Sequence, residues 1–284
     1  MTLDPFGTRL TAAVAKHGPL CVGIDPHPGL LSDWGLDRTP AGLERFALTT
    51  VEALAGEVAV VKPQSAFFEA YGSAGIAVLE RVVVESRAAG TIVLLDVKRG
   101  DIGSTMAAYA QAYLSDDSPL AADAITVSPY LGFGSLAPAL ELAAATGRGV
   151  FVLALTSNPE GAQVQRATTG DADTVARSVL RQAAERNAGA APLGCVGVVI
   201  GATVGHLDQE ISSAVAAVHG PVLAPGFGAQ GAGVADLKAV FGTRRAAVLP
   251  SSSRDVLRHG PDQRLLRDAA IRIRDVVAIE LQWP

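Results

Sequence analysis

The residues best equipped for chemistry lie in one stretch, Leu94-Leu95-Asp96-Val97-Lys98-Arg99-Gly100-Asp101-Ile102-Gly103-Ser104-Thr105. It continues an apolar, β-branched run that starts at Thr91, gains ionisable groups of alternating sign, and turns at Gly100 toward what reads as a helix. On a strand, Asp96 and Lys98 at i and i+2 project from the same face, so a carboxylate and an ammonium stand side by side. Such a pair can hold charge against a substrate and pass on a proton. Asp101 falls at the expected helix start, where a carboxylate would serve as an N-cap in any protein. The three together need a further explanation.

A second lysine, Lys62, directly follows Val58-Ala59-Val60-Val61. A lysine inside a buried segment is costly unless a carboxylate pairs with it. An alternating set of Lys62, Asp96, Lys98 and Asp101 would satisfy these charges mutually. Buried ion pairs add little net stability, so a function explains the set better than a structural network does. Lysine, a mobile point charge with a transferable proton, suits stabilising and then protonating a carbanion. Asp25, closing an earlier apolar run, reads equally as a turn with Pro26 or as a site residue.

Two later runs end in Ala224-Pro225-Gly226-Phe227-Gly228-Ala229-Gln230-Gly231 and in Ser251-Ser252-Ser253-Arg254. Glycines let backbone N–H groups approach an anion, and an arginine such as Arg254 can grip phosphate oxygens bidentately. Pro-Gly-x-Gly alone serves equally well for a turn; with Ser-Ser-Ser-Arg one run later, the pair points to a phosphate site. The net charge of −5 argues against a nucleic-acid or anionic-membrane surface, so phosphate must be held by locally placed groups. The five histidines are scattered, with neither H-E-x-x-H nor Cys-x-x-Cys, and no metal site is expected. Cys21 and Cys195 sit far apart in apolar runs and read as core thiols.

These groups need a frame. With 284 residues, 49% of them hydrophobic and 18% charged, the chain could form two ordinary domains or one large α/β barrel. Apolar runs at 20–25, 58–62, 91–98, 124–128, 150–157, 195–201, 221–225 and 246–251 are each followed by a helical candidate, the count that a (β/α)8 TIM barrel requires. Residues 1–284 are therefore predicted as one barrel domain. A doubly wound sheet of the same elements stays open, because periodicity alone cannot close a barrel. Helices are predicted over 41–56, 72–89, 136–146, 174–187 and 204–219. The tail from 261 to 284 reads as a closing amphipathic helix with Leu265, Leu266, Ala269, Ile273, Val276 and Val277 inward. Long connections over 26–40 and 157–170 follow strand carboxyl ends and read as lids or inserts. Residues 1–20 carry Asp4, Arg9, Lys16 and His17 and no apolar core of a signal peptide; no run reaches the roughly 18 apolar residues of a membrane span. A cytoplasmic protein with no membrane partner is expected.

Brought to one barrel mouth, these motifs make the sequence resemble the orotidine 5′-phosphate decarboxylase family, in its longer bacterial subgroup. The resemblance runs from about Asp25 to Arg254. It is carried by Asp96-x-Lys98-x-x-Asp101, with Lys62 before it and the Pro225–Gln230 and Arg254 elements after it. Asp-x-Lys-x-x-Asp is shared with related barrel enzymes acting on sugar phosphates, whereas Thr156-Ser157-Asn158-Pro159 favours the pyrimidine enzyme. The resemblance implies cofactor-independent decarboxylation of orotidine 5′-phosphate to uridine 5′-phosphate and CO2, the last step of de novo UMP synthesis. It makes Lys62, Asp96 and Lys98 the charged array around C6 of the pyrimidine, with Lys98 the proton donor. Asp101 would reach in from the partner subunit of a homodimer with shared active sites, together with Ile102 and Thr105. Asp25 would touch the ribose hydroxyls, Ser157 the pyrimidine amide edge, and Gln230 with Arg254 the 5′-phosphate, beside Pro225, Gly226, Gly228 and Ser253. The long loops depart from the family pattern and leave Gln163 or Gln165 as the lid contact. The alternatives are a metal-assisted sugar-phosphate decarboxylase or aldolase of the same barrel type, and a non-catalytic nucleotide-binding module.

Overall fold

Each of the eight apolar runs folds as a strand: β1 (Cys21–Ile24), β2 (Val60–Pro63), β3 (Ile92–Arg99), β4 (Ala124–Val127), β5 (Gly149–Leu155), β6 (Val196–Ile200), β7 (Pro221–Pro225) and β8 (Ala247–Ser252). The computed structural model describes residues 3–170, 173–205, 207–228, 231–241, 247–281 and 283. The strands pair in parallel in chain order, and β8 returns to β1 through Cys21↔Ser251 and Val22↔Ser252. This closure settles the choice left open by periodicity in favour of the TIM barrel. Strands buried on both faces need apolar side chains on both, which is why they read as continuous runs.

Helices alternate with the strands. α1 (Phe6–His17) precedes β1; α2 (Pro28–Asp33) and α3 (Pro40–Leu54) follow it; α4 (Ser65–Glu69) and α5 (Gly72–Ala88) follow β2. α6 (Gly103–Leu114), α7 (Ala137–Thr146), α8 (Ala162–Gln165) with α9 (Val175–Arg186), α10 (Gln209–Ala217) and α11 (Val234–Phe241) follow β3 to β7 in turn. α12 (Arg254–Leu257) and α13 (Gln263–Glu280) close the order. Side-chain caps begin α3, α9, α10 and α13: Thr39 accepts from Gly42 N, Thr174 from Arg177 N, Asp208 from Ile211 N and Asp262 from Leu265 N. Among the described residues no helix is long and apolar enough to cross a membrane.

α1 was not foreseen in the sequence. Its Phe6, Leu10 and Val14 pack with Cys21, Leu94, Phe151 and Leu249 from the strands, and Phe6 meets Phe151 edge-on at 6.0 Å between ring centroids. The helix thus closes the amino-terminal end of the barrel, pinned by Arg9 Nη1 on Asp123 Oδ1 at 2.7 Å. Chemistry is left to the opposite end.

Three further expectations change. The connection over 26–40 is a packed segment: α2 lies in it, Trp34 is buried against Phe46 at 4.2 Å, and its Nε1 donates to Leu257 O at 2.9 Å. Asp101 does not cap α6. That helix begins one residue later, after Ile102, and Asp101 Oδ1 accepts from Ile102 N at 2.8 Å. In α13, Leu266, Ala269 and Val277 are buried and Ile273 packs partly against the core, but Leu265 and Val276 are exposed, because the barrel takes a narrower stripe of the helix than the apolar spacing offers.

Candidate active site

A cavity of about 610 Å³ opens where the strands end, and residues from every strand or the loop after it line it. At its floor lies Asp96, whose burial is tolerable only because donors surround it. Lys62 Nζ lies 3.2 Å from Oδ2, and Gln64 Nε2 donates to the same oxygen at 2.9 Å. Lys98 Nζ meets Oδ1 at 2.6 Å and Thr126 Oγ1 donates to it at 2.7 Å. Lys62 also lies 3.9 Å from Asp25 Oδ1. The charges therefore alternate across three strands.

Burial alone would raise the Asp96 carboxyl and lower the Lys62 ammonium. For Asp96 the ammoniums of Lys62 and Lys98, with the hydrogen bonds from Lys98 and Thr126, outweigh burial and hold it well below the ordinary carboxylate range. For Lys62 the carboxylates of Asp25 and Asp96 do the same in the opposite sense and hold it above the ordinary lysine range. Both groups stay charged at neutral pH. Cys21, beside them in β1, is pushed up to about 12 by burial, which outweighs the opposing pull of Lys62 and of the Ser251 hydrogen bond, and stays a thiol.

Lys98 differs from Lys62 in exposure. Its side chain is 47% exposed, and its backbone adopts φ 45°, a left-handed conformation unusual for a residue with a side chain. The register of β3 on β4 shifts between Leu95 and Arg99, so the lysine sits on a bulge at the strand's end. Bulges re-aim side chains. This one turns Lys98 back over Asp96.

The other side of the cavity is made by β1, β7 and β8. Pro225 and Gly226 line it, and Gly226 at φ 97° takes a turn closed to most residues. Arg254 reaches it from the start of α12, next to Ser253. Gly23 in β1 is required by packing: a Cβ there would lie 2.9 Å from both Asp25 Oδ2 and Ser253 Cβ. Asp25 Oδ1 and Ser253 Oγ are buried with no hydrogen-bond partner among the described residues, so Asp25 can accept from a ligand's hydroxyl and Ser253 can donate to an anionic oxygen.

Asp25, Lys62, Asp96, Lys98, Ser157, Pro225, Gly226, Ser253 and Arg254 are thus brought together. Gly228 does not line the cavity; its N–H donates to Ala232 O at 2.7 Å within the loop after β7. Asp101, Ile102 and Thr105 lie outside this cavity, on the rim at the start of α6. Gln230 lies outside the described residues. Gln165 ties the β5 loop to Thr156, with Oε1 accepting from its N at 2.9 Å and Nε2 donating to its Oγ1 at 2.6 Å, while Gln163 is exposed. Sequence reasoning passed over Gln64, Thr126 and the His27–Phe67 ring pair at the mouth, 4.2 Å between centroids. Gln64 was within reach, since it stands two residues beyond Lys62 on an extended backbone. Among the described residues no group of three or more His, Cys, Asp or Glu gathers as a metal site.

A parallel barrel with Lys62, Asp96 and Lys98 at the carboxyl ends of β2 and β3, and glycine and arginine elements after β7 and β8, has the make-up of a (β/α)8 barrel enzyme with its site at that end. The family model described as "Orotidine 5'-phosphate decarboxylase / HUMPS family" matches residues 18–268. A curated Salinispora tropica protein named orotidine 5′-phosphate decarboxylase is 64% identical, over 95% of this chain and 96% of its own. A Streptomyces avermitilis crystal structure, whose own assignment to that activity is provisional, matches with TM-score 0.92 and 58% identity over 99% of this chain and 97% of the other. Leishmania donovani OMP decarboxylase matches at TM-score 0.74 and 30% identity over 98% and 100%. The chain belongs to the orotidine 5′-phosphate decarboxylase / HUMPS family.

Proposed function

We propose that the chain converts orotidine 5′-phosphate to uridine 5′-phosphate and CO2 without a cofactor, completing the synthesis of the pyrimidine nucleotide in the cytoplasm. The observation that carries this reading is the Lys62–Asp96–Lys98 alternation at the floor of the cavity, in a chain 64% identical to a relative named for that reaction. Loss of CO2 leaves the electron pair of the broken C6–carbon bond on C6, where the ring cannot delocalise it. Charge placed beforehand must then lower the barrier. Asp96, held by four donors, fixes Lys98 in place before substrate arrives. The Lys98 ammonium faces the developing charge and transfers its proton to C6; the neutral amine is reprotonated from solvent, which its exposure permits.

The remaining contacts follow the same pose. Asp25 takes the ribose hydroxyls, Ser157 the amide edge of the pyrimidine, and Arg254 with Gln230 the phosphate, beside Pro225, Gly226, Gly228 and Ser253. Binding energy from the distant phosphate can then serve the chemical step. Asp101, Ile102 and Thr105, outside their own chain's cavity, complete the site of the partner in a homodimer. A metal-assisted sugar-phosphate reaction is not favoured, because Asp25 and Asp96 both face Lys62.

The test is the fall in ultraviolet absorbance of orotidine 5′-phosphate with purified protein. Turnover is expected, and Lys98→Ala should lower kcat by about a hundred- to ten-thousandfold. No turnover by the intact protein, or an unimpaired Lys98→Ala, would overturn the reading.

A further inference from the structure

We propose that Thr126 is a positioning residue for the proton-donating arm: its hydroxyl ties the Asp96 carboxylate to the main chain of Lys98 and so sets the ammonium's place in the cavity. The inference rests on the decarboxylase reading above and adds a residue to it.

The pairing of β3 with β4 carries the first part of the case. Leu95 pairs with Ile125 and Arg99 with Val127, so Asp96, Val97 and Lys98 stand against a single β4 residue, Thr126. A regular ladder would give each N–H of this stretch a carbonyl. The bulge removes that pattern where Lys98 turns to φ 45°, a conformation that costs free energy and persists only where the surroundings enforce it. Thr126 supplies the missing acceptor, since Lys98 N donates to its Oγ1 at 3.0 Å.

The hydroxyl's other partner carries the second part. A threonine has one proton to give, and Thr126 gives it to Asp96 Oδ1 at 2.7 Å. That is the oxygen which Lys98 Nζ approaches to 2.6 Å. Thr126 therefore holds the Asp96–Lys98 pair at both ends, the acceptor oxygen and the lysine backbone. It is buried, and although it lines the cavity its proton is committed, so it acts on the reaction through Asp96 and Lys98. Valine at this position would keep the shape and lose both bonds, whereas serine would keep both.

The test compares wild type, Thr126→Ser and Thr126→Val by steady-state kinetics with orotidine 5′-phosphate and by hydrogen–deuterium exchange at the Lys98 amide. Thr126→Val should lose about ten- to a hundredfold in kcat with KM changed by less than about threefold. Thr126→Ser should stay within about threefold of wild type in both. The Lys98 amide should exchange faster in the valine variant and keep its protection in the serine variant. If the valine variant does not fold, Thr126→Ala, which removes the hydroxyl and adds no volume, takes its place under the same thresholds. The proposal is overturned by a hydroxyl-free variant with wild-type kcat, by a serine variant as slow as the valine one, or by equal amide protection in all. Failure of wild type to turn over would strike the decarboxylase reading alone, since the exchange experiment needs no substrate.

Discussion

Asp96 carries more obligations than any other side chain at the floor of the cavity, and its titration can be worked out by sign. Its carboxyl is depressed below the ordinary value of 3.8, so its contribution to stability is complete above that value and is lost as pH falls through the folded one. Lys62 is raised above 10.5, so its contribution is complete below that value and is lost only as pH rises through its folded one. Asp96→Asn should cost about 3–5 kcal/mol, because it leaves a buried ammonium short of its nearer carboxylate. Urea unfolding should show this difference constant between about pH 5 and 9 and shrinking below about pH 4. A difference that varies between those limits would mean that Asp96 or Lys62 titrates there. Lys62, Asp96 and Lys98 were legible in the sequence because charge inside an apolar run is conspicuous; the i, i+2 spacing suggests that Asp96 and Lys98 pair, but it is the bulge that brings them together. Thr126 was not, since a threonine within Ala-Ile-Thr-Val is ordinary strand composition. Nor did any residue type announce the bulge that turns Lys98.

At the scale of elements, the barrel divides its labour between ends. Burial of Phe6, Leu10 and Val14 under the strands contributes about 1.5–3 kcal/mol for each side chain, and none of the three lines the cavity. Phe6→Ala should therefore lower stability by about 3–5 kcal/mol, read by chemical denaturation, while kcat at a temperature where the variant is folded stays at the wild-type level. A parallel fall in kcat would show that α1 bears on the site. The eight strands were readable because two-sided burial imposes unbroken apolar runs. α1 has an apolar spacing of i, i+4, i+8 at Phe6, Leu10 and Val14, but three apolar anchors among charged residues do not by themselves mark a buried helix. Leu265 and Val276 show the reverse, apolar spacing that the fold leaves exposed. Apolar spacing marks what a helix can bury, and the neighbouring surface decides how much of it is used.

For the whole molecule, the question is what covers the rim. Ile102 is 62% exposed at the start of α6, and on the neighbouring loop after β4 Tyr130 is 76% and Leu131 51% exposed. Exposed apolar side chains on the two successive loops after β3 and β4 are what the core of an interface uses. Asp101 adjoins Ile102, and its carboxylate accepts from the Ile102 N–H. In the proposed homodimer this arrangement makes each site depend on two chains, which can be tested by mixing. Lys98→Ala and Asp101→Asn homodimers should each be nearly inactive. A heterodimer carries one doubly damaged site and one site with the intact Lys98 of one chain facing the intact Asp101 of the other. At equal proportions, with free exchange, half of the dimers are mixed and each has one good site, so activity should recover to about a quarter of wild type. Exchange is verified independently by mass-tagged subunits. Proven exchange without recovery would return Asp101 to its own chain's rim as a surface carboxylate and leave the Lys62–Asp96–Lys98 array to act without it.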